Sequence, residues 1–210
     1  MSNTASPILI ATSNPHKLGE IAAVFEPLGL RTIGLDDVGV DAPEPVEDGE
    51  TFEANACLKA VYYARLAQRP CIADDSGLEV AALGGRPGVH SARYAGVGTT
   101  RVERDAANNA KLLGELRSIP PGRRAAKFVC AMCLANAKGN VLAETRGEFP
   151  GLIINEPRGS NGFGYDPLLL LPEIGLTSAE LSPADKNARS HRGAAARAMA
   201  QWIREAESGA

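Results

Sequence analysis

Short aliphatic runs alternate along this chain with stretches whose apolar residues recur at helical spacing, and this alternation restricts the possible folds more than any other feature. The run at 7–12 predicts a strand, and the apolar residues from Leu18 onward predict a helix after a polar turn. A second helix is predicted at 51–68 with Thr51 as its N-cap, and a short buried strand follows at 70–74. Strands that alternate with helices indicate an α/β fold.

The second half of the chain continues the pattern. A helix is predicted at 102–116, and two β-rich runs at 126–135 and 141–149 predict paired strands joined by a turn. Ser182 precedes a proline and then an acid, which is typical of a helix start. Because the chain contains no repeat and no long linker, residues 1–210 are predicted to form a single domain with a mixed sheet. One face of the last predicted helix carries Ala195, Met199, Trp202 and Ile203.

The composition is that of an ordinary globular protein. Of the 210 residues, 44% are hydrophobic and 22% are charged, which is far from the composition of disordered chains. The longest purely aliphatic run, 168–171, is much shorter than the roughly 20 residues that a membrane span requires. Residues 1–7 lack the basic residue and the long apolar stretch of a secretory signal, which predicts a cytoplasmic protein with no membrane partner.

Charge and cysteine content narrow the possible partners further. The formal net charge is −3 and no long basic stripe is present, so nucleic acid is not expected as a partner. The four cysteines fit reduced thiols in a cytoplasmic protein. Cys130 and Cys133 have the spacing of half a zinc or redox site, but they lie in a predicted strand and no second pair completes such a site.

A polar segment between the first predicted strand and helix is a candidate anion site. Loop amides and a helix N-terminus bind anions, and Lys17 adds a positive charge suited to phosphate. The segment is not a P-loop, because the chain contains no G-x-x-x-x-G-K-[ST] motif. A polar turn with a solvated lysine is the alternative interpretation. The segment reads Thr12-Ser13-Asn14-Pro15-His16-Lys17.

Two adjacent acids, Asp74 and Asp75, follow a buried strand and precede Ser76 and Gly77. Carboxylates at the end of an apolar strand are costly unless a cation neutralises them. A hard divalent cation such as Mg²⁺ accepts oxygen ligands of this kind, and Glu47 in the preceding acidic loop offers another. The same four residues are also typical of a turn, and adjacent strand residues face opposite sides.

The glycine-rich segment 159–166 ends in Phe163, Gly164, Tyr165 and Asp166. It lacks the strand-then-helix context of a dinucleotide loop. Its two aromatic rings suit stacking on a planar base, with Asp166 contacting the base edge or orienting a donor. A hairpin loop with local aromatic packing is the alternative.

Positive charge is concentrated near the last helix, at Lys186 and in Ser190-His191-Arg192-Gly193. Ser190 can instead cap that helix, and a single histidine is usually structural. With Lys17 and Lys59, these residues supply several cationic ligands for phosphate. Together with the acid pair and the aromatic segment, they predict a site for a nucleoside triphosphate and Mg²⁺.

In these motifs the chain resembles the inosine and xanthosine triphosphate pyrophosphatases, a family that removes deaminated purine nucleotides. The likeness extends in order over nearly the whole chain, and the motifs together are far more specific than any one of them. They are Ser13-Asn14-Pro15-His16-Lys17, Thr51-Phe52-Glu53-Ala54-Asn55 with Lys59, Asp74-Asp75-Ser76-Gly77, Pro87-Gly88-Val89-His90-Ser91-Ala92-Arg93-Tyr94, Gly162-Phe163-Gly164-Tyr165-Asp166 and Ser190-His191-Arg192-Gly193.

The resemblance implies a fold and a set of roles. The expected fold is a single elongated α/β unit with a long mixed sheet and two lobes around a nucleotide-binding cleft, and the expected assembly is a homodimer. Asp75 is implied as the catalytic base or water-positioning carboxylate and as a metal ligand, with Glu47 and Asp74 as further metal ligands. Phosphates and sugar are assigned to Thr12, Ser13, Asn14, Pro15, His16, Lys17, Lys59 and Ser76. The base and the phosphate tail are assigned to Phe163, Gly164, Tyr165, Asp166, Lys186, His191 and Arg192.

The implied reaction is attack of water on the α-phosphorus of ITP, dITP or XTP with help from Mg²⁺ or Mn²⁺. The chain departs from the family pattern at two positions: Ala54 replaces a frequent second acid, and His16 replaces a common glycine. The first leaves the number of metal ligands open. Two alternatives also stay open: a pyrophosphatase of the related Maf type for pyrimidine or modified nucleotides, and a nucleotide-binding protein without catalysis.

Overall fold

The computed structural model describes residues 7–39 and 42–209. Strands and α-helices alternate up to residue 135, as the sequence pattern predicts, and three further strands then precede the last two α-helices. The strands are β1 (Ile8–Ile10), β2 (Thr32–Ile33), β3 (Cys71–Val80), β4 (Ala125–Ala135), β5 (Val141–Ile153), β6 (Leu169–Leu171) and β7 (Leu176–Thr177). The α-helices are α1 (Pro15–Phe25), α2 (Phe52–Ala67), α3 (Arg101–Glu115), α4 (Pro183–Arg189) and α5 (His191–Ser208).

The strands form a seven-stranded sheet in the order β2-β1-β3-β4-β5-β6-β7. Strand β1 runs parallel to both of its neighbours, with Ile8 opposite Thr32 and Leu9 opposite Cys71. The pairs β5-β6 and β6-β7 are antiparallel. Parallel and antiparallel pairs in one sheet confirm the predicted mixed α/β fold.

The chain divides into two compact units. Unit 1 contains the described residues of Met1–Asp75, Cys130–Gly147 and His191–Ala210, and unit 2 contains Ser76–Val129 and Glu148–Ser190. Three of the four chain crossings between the units fall inside strands β3, β4 and β5. The single domain over 1–210 stays a prediction, as do the elongated shape and the cleft.

Each unit has its own hydrophobic core. In unit 1, helices α1 and α5 supply Phe25 and Met199, which are buried in one cluster with Ile72 and Met132 of the sheet. Of the residues predicted to share one face of the last helix, Ala195, Met199 and Ile203 are buried, whereas Trp202 is 36% exposed. The core of unit 2 includes Leu78, Leu112, Phe149, Ile153, Tyr165 and Leu168.

Local sequence signals place several helix ends correctly. Thr51 caps α2 by accepting a hydrogen bond from the Ala54 N–H, and Ser182 caps α4 by accepting one from the Asp185 N–H. Helices α4 and α5 meet at Ser190, which directly precedes the last helix. None of the described helices combines the length and the apolar character that a bilayer span requires.

Strand β3 is longer than predicted. It continues through the acid pair to Val80, so the alternative of a turn at 74–77 is wrong. Tertiary packing explains the difference, because a Cβ at Gly77 would clash with Ser91 and with the Gly88 carbonyl, and the Ser91 hydroxyl accepts a hydrogen bond from the Leu78 N–H at 2.8 Å. The four cysteines are free thiols; Cys57 is half-buried and the other three are buried.

Candidate active site

The adjacent acids of β3 are both buried in unit 1, with Asp74 2% exposed and Asp75 7% exposed. Neighbouring residues on a strand point to opposite faces of the sheet. Their closest partners differ accordingly: Asp74 contacts Lys17 and Arg192, whereas Asp75 contacts Asn55 and Lys59. One strand therefore presents two carboxylates to two different sets of side chains.

Asp74 is held as a carboxylate by cations. Lys17 Nζ lies 2.9 Å from its Oδ2, and Arg192 Nε lies 3.4 Å from the same oxygen. Burial raises the pKa of Asp74, but Lys17, Arg192 and Lys59 outweigh this effect and hold the pKa well below its usual range. The other oxygen, Oδ1, is buried and accepts no hydrogen bond from any described residue. Asp74 is thus an ionised carboxylate with spare ligand capacity.

Asp75 has the opposite electrostatic character. Asn55 Nδ2 donates a hydrogen bond to its Oδ2 at 3.1 Å, and Lys59 Nζ lies 3.7 Å from its Oδ1. Burial raises the pKa of Asp75 above its usual value, although Lys59 and Lys17 act in the other direction. A carboxylate with a raised pKa accepts a proton more readily than an ordinary aspartate, which suits a general base.

Lys59 of α2 connects Asp75 to the acidic loop. Its Nζ lies 3.0 Å from Glu47 Oε1, so one ammonium group stands between two carboxylates. Burial lowers the pKa of Lys59, but Asp75, Asp74 and Glu47 outweigh it and raise the pKa overall. The ammonium therefore stays charged, and it reduces the repulsion between Glu47 and Asp75.

The polar segment after β1 forms the N-terminal end of α1. Asn14 caps the helix by accepting a hydrogen bond from the His16 N–H at 3.0 Å, and Pro15 occupies the first turn. His16 is exposed. A cavity of about 100 Å³ lies beside this segment, and its lining includes Thr12, Ser13, Lys17, Glu47, Lys59 and Asp74. Six predicted site residues from four separate segments of the sequence thus share one cavity within unit 1.

The basic residues at the start of α5 are buried. His191 is 5% exposed and Arg192 is 1% exposed. Besides Asp74, Arg192 binds Glu20 of α1 through its Nη1. The guanidinium of Arg192 therefore binds carboxylates inside unit 1, and one of these is Asp74.

The aromatic segment of unit 2 is a loop with a fixed backbone. Gly162 and Gly164 have φ angles of 77° and 61°, a backbone conformation that residues with a Cβ rarely adopt. The Gly164 N–H donates to Asp105 Oδ2 at 2.9 Å, and the Gly164 carbonyl accepts from Asn109 Nδ2 at 3.0 Å. Two side chains of α3 therefore clamp the centre of the loop.

Both carboxylate oxygens of Asp166 accept hydrogen bonds. Its Oδ1 accepts from the Ser178 hydroxyl at 2.8 Å, and its Oδ2 accepts from the Phe163 N–H at 2.8 Å. Lys186 Nζ lies 2.7 Å from the same Oδ2, and both partners of this ion pair are buried. The carboxylate thus organises the loop and fixes the lysine.

The two aromatic rings of the loop have different environments. Tyr165 is 4% exposed and its hydroxyl donates to the Ser91 carbonyl at 2.9 Å, so its ring belongs to the core. Phe163 is half-buried, and the cationic groups of Arg101 and Lys186 lie 4.5 Å and 4.9 Å from its ring centroid. Phe163 is consequently the aromatic side chain of this loop that can stack on a ligand.

The predicted site residues fall into two groups. Unit 1 holds the segment 12–17, Glu47, Lys59, the two aspartates, His191 and Arg192, whereas unit 2 holds Ser76, the residues 163–166 and Lys186. That both groups surround one nucleotide stays a prediction. Sequence analysis missed the roles of three residues. Asn55 lies inside a quoted motif, Glu20 lies one helical turn after Lys17, and Asp105 carries no signal in the sequence.

The donor set fits a divalent cation only when a ligand supplies further oxygens. Among the described residues, no group of three or more His, Cys, Asp or Glu side chains lies close enough together to hold a metal ion. Asp74 Oδ1 is nevertheless buried without a partner among those residues, and both Asp74 and Glu47 line the cavity. Mg²⁺ in proteins is commonly held by one or two carboxylates together with substrate phosphates. The residues present fit that arrangement.

Comparison with known proteins agrees with this geometry. The chain belongs to the Ham1 family, whose model matches residues 8–202. It is 51% identical over 185 residues to a dITP/XTP pyrophosphatase of Geobacillus kaustophilus, with 88% of each chain covered. It is 48% identical over 188 residues to the dITP/XTP pyrophosphatase of Geobacter sulfurreducens, covering 90% of this chain and 92% of that protein. The predicted family is confirmed.

A solved structure supports the fold. The structure of a HAM1 protein from Coxiella burnetii matches with a TM-score of 0.83 and 39% sequence identity. The match covers 95% of this chain and 98% of that one. The mixed α/β architecture is therefore shared along almost the whole length of both proteins.

Proposed function

We propose that this protein is a nucleoside triphosphate pyrophosphatase that hydrolyses ITP, dITP and XTP to the monophosphate and pyrophosphate. The cavity of unit 1 carries the proposal, because it joins the anion-binding end of α1 to two lysines and to the carboxylates of Glu47 and Asp74. Helix-end amides and lysines suit phosphates, and the carboxylates suit a base and a hard cation. Relatives at 51% and 48% identity carry the name of this activity.

Asp75 acts as the general base in the proposed mechanism. It takes a proton from water while the water oxygen bonds to the α-phosphorus, and the bond from that phosphorus to the bridging oxygen of the β-phosphate breaks. The raised pKa of Asp75 supports this role. Lys17 and Lys59 stabilise the negative charge that develops on the departing pyrophosphate.

We assign Asp74 and Glu47, with Asp75 as a further ligand, to a divalent cation held jointly with the phosphates. When bound, Mg²⁺ or Mn²⁺ would polarise the phosphate oxygens and offset their charge. Lys17 and Arg192 keep Asp74 ionised, so its free oxygen is ready to act as a ligand at neutral pH. Arg192 is thereby assigned to support of Asp74 rather than to direct contact with the nucleotide.

The loop of unit 2 is assigned to the base. Phe163 stacks on the purine, and Asp166 fixes the position of Lys186. Donors that converge on the 6-oxo group would be left unpaired by the 6-amino group of adenine. Such polar rejection can reach about 10⁴-fold. Ser76 and His191 remain proposed nucleotide contacts, and the homodimer and the cytoplasmic location stay predictions from the sequence.

A substrate panel tests the proposal. Pyrophosphate release is measured with ITP, dITP, XTP, GTP, ATP, dUTP and dTTP, with and without Mg²⁺. We expect rapid release from the first three nucleotides, loss of activity after EDTA treatment, and recovery with added Mg²⁺ or Mn²⁺. Preference for dUTP or dTTP would favour a Maf-type enzyme, and binding without turnover would favour a catalytically silent nucleotide-binding protein.

A further inference from the structure

Asn55, in the first turn of α2, joins the acidic loop to the carboxylate of Asp75. Its side chain is 1% exposed. Its Oδ1 accepts a hydrogen bond from the Gly49 N–H at 2.9 Å, and its Nδ2 donates to the Gly49 carbonyl at 3.2 Å. The same Nδ2 donates to Asp75 Oδ2 at 3.1 Å. One amide group thus binds both the backbone of the loop that carries Glu47 and the acid of β3.

This set of contacts fixes the orientation of the Asn55 amide. The oxygen must face the Gly49 N–H and the nitrogen must face two acceptors, so a flipped amide would lose all three hydrogen bonds. An uncharged donor also holds Asp75 without neutralising it as an ion pair does. The amide takes up no proton at physiological pH, and its hydrogen bond lowers the pKa of Asp75 and so favours the ionised form, which is the form that can act as a base.

The backbone of the loop lies close to Asn55 because residue 49 is a glycine. A Cβ at Gly49 would lie 2.6 Å from Asn55 Oδ1 and 2.9 Å from Ala54 Cβ, distances that real Cβ atoms essentially never show. The φ of Gly49 is outside the left-handed region, so space rather than backbone conformation requires glycine here. Glu47 lies two residues before Gly49, and its position therefore depends on this close approach.

We propose that Asn55 is a positioning residue that fixes the Asp75 carboxylate and the loop carrying Glu47 relative to each other. The proposal rests on the function proposed above, in which Asp75 is the base and Glu47 contacts the cation. Asn55 holds Oδ2 of Asp75, while Oδ1 lies toward Lys59, which in turn binds Glu47. The backbone of the loop and the side chains at its end are thus tied to one amide.

Asn108 of α3 in unit 2 provides a matched control. It is 2% exposed, its Oδ1 accepts from the Ala95 N–H at 2.7 Å, and its Nδ2 donates to the Ser91 carbonyl at 3.2 Å. It therefore clamps a loop to a helix as Asn55 does. Its hydrogen bonds go to backbone groups, so its loss reports the structural cost of removing a buried asparagine clamp.

The decisive comparison is Asn55→Asp against Asn108→Asp. Each change keeps the side-chain shape and the acceptor, but it replaces the amide donor with a carboxylate oxygen and adds a negative charge. We expect Asn55→Asp to lower kcat for ITP by about 10²-fold with KM nearly constant, because a misplaced catalytic group costs about that much. Asn108→Asp should lower the melting temperature about as much as Asn55→Asp does, while its kcat stays near the wild-type value. Equal kcat in the two variants would overturn the proposal.

Gly49→Ala disturbs the same clamp from the other side, so the test does not depend on one variant folding. It should reproduce the loss of kcat, whereas Gly19→Ala, where a Cβ meets nothing within 4 Å, should not. Full activity of Gly49→Ala would contradict the proposal.

Amide hydrogen exchange provides a readout without substrate. The Gly49 N–H should exchange about tenfold faster or more in Asn55→Ala than in Asn108→Ala, because local opening frees the amide. Equal exchange rates would contradict the clamp itself. A wild-type protein that hydrolyses none of the nucleotides would instead refute the proposed function, so the two failures are distinguishable.

Discussion

Asp74 in unit 1 and Asp166 in unit 2 are both 2% exposed and both paired with a lysine, but they differ in their remaining hydrogen-bonding capacity. Both oxygens of Asp166 accept hydrogen bonds from groups in and around its own loop. Asp74 binds Lys17 and Arg192 through one oxygen, and its other oxygen meets no donor in the described residues.

The contrast shows that a buried ion pair alone does not identify a functional carboxylate. A buried pair is costly to desolvate and is weak evidence of stabilisation by itself. Spare capacity is more informative, since an orphaned buried oxygen has an energetic cost that a ligand can repay. By that criterion Asp74 is available to a ligand, whereas Asp166 shapes its own loop.

The largest effect is expected on kcat, and it distinguishes a variant in unit 1 from a variant in unit 2. Asp75→Asn keeps the side-chain shape but removes the charge, so kcat for ITP should fall by about 10²- to 10⁴-fold. Asp166→Asn should act mainly on KM, because it loosens the loop assigned to the base. Steady-state pyrophosphate release measures both constants. Near-normal kcat in Asp75→Asn would show that the base has been misassigned.

The next effect concerns stability. Asp74→Ala leaves the half-buried Lys17 and the buried Arg192 without this counter-charge, and breaking a buried pair costs about 3–5 kcal/mol. The exposed pair of Lys127 and Glu148, with side chains 36% and 42% exposed, provides the control. Glu148→Ala should change the unfolding free energy by about 0–1 kcal/mol. Urea denaturation measures both, and equal losses would contradict the role of burial.

Phe163→Ala tests the loop of unit 2. Stacking of a base on an aromatic ring contributes about 1–3 kcal/mol, so KM for ITP should rise by about 5- to 150-fold with kcat nearly unchanged. Trp202→Ala removes a 36% exposed aromatic side chain on α5 and is the control. A loss of kcat without a change of KM in Phe163→Ala would assign the ring to the chemistry instead.

The smallest effect concerns the pH dependence of folding stability, to which the adjacent residues Asp74 and Asp75 contribute with opposite signs. The lowered pKa of Asp74 means that the folded state binds its proton less tightly than the unfolded state does. Asp74 therefore contributes stability at neutral pH that is lost as the pH falls below about 5, by at most about 1.4 kcal/mol per pH unit. The raised pKa of Asp75 has the opposite sign, so its ionisation opposes folding as the pH rises.

Urea unfolding between pH 7 and pH 3 checks these signs. Asp74→Asn should reduce the loss of stability in acid, and Asp75→Asn should increase stability at neutral pH relative to wild type. If both variants shift stability in the same direction at neutral pH, the contrast between the two acids is refuted.

Sequence analysis succeeded where the signal is local. The caps at Thr51 and Ser182 depend on residues within one helical turn, and both were predicted correctly. The end of β3 was misplaced because the turn-forming residues at 74–77 are held extended by contacts with distant parts of the chain. Local propensity gives no sign that Gly77 packs closely against Ser91.

The site shows the same limit. Each charged residue is visible in the sequence, but its partner is not, because Arg192 reaches a carboxylate 118 positions away. Sequence analysis therefore assigned Arg192 to phosphate, whereas its observed contacts are with Asp74 and Glu20. Asn55 was quoted only as part of a motif, since nothing in the sequence reveals that its amide faces Asp75.

The distribution of thiols also makes the protein suitable for site-directed labelling. Cys71, Cys130 and Cys133 are buried, and Cys57 is the half-buried thiol of the four, all of which lie in the described residues. A maleimide reagent added to the native protein should therefore attach to α2 first. Cys57 is two residues from both Asn55 and Lys59. A fluorophore at this position would report on the helix whose Asn55 contacts the proposed base, Asp75, without any change to the natural sequence.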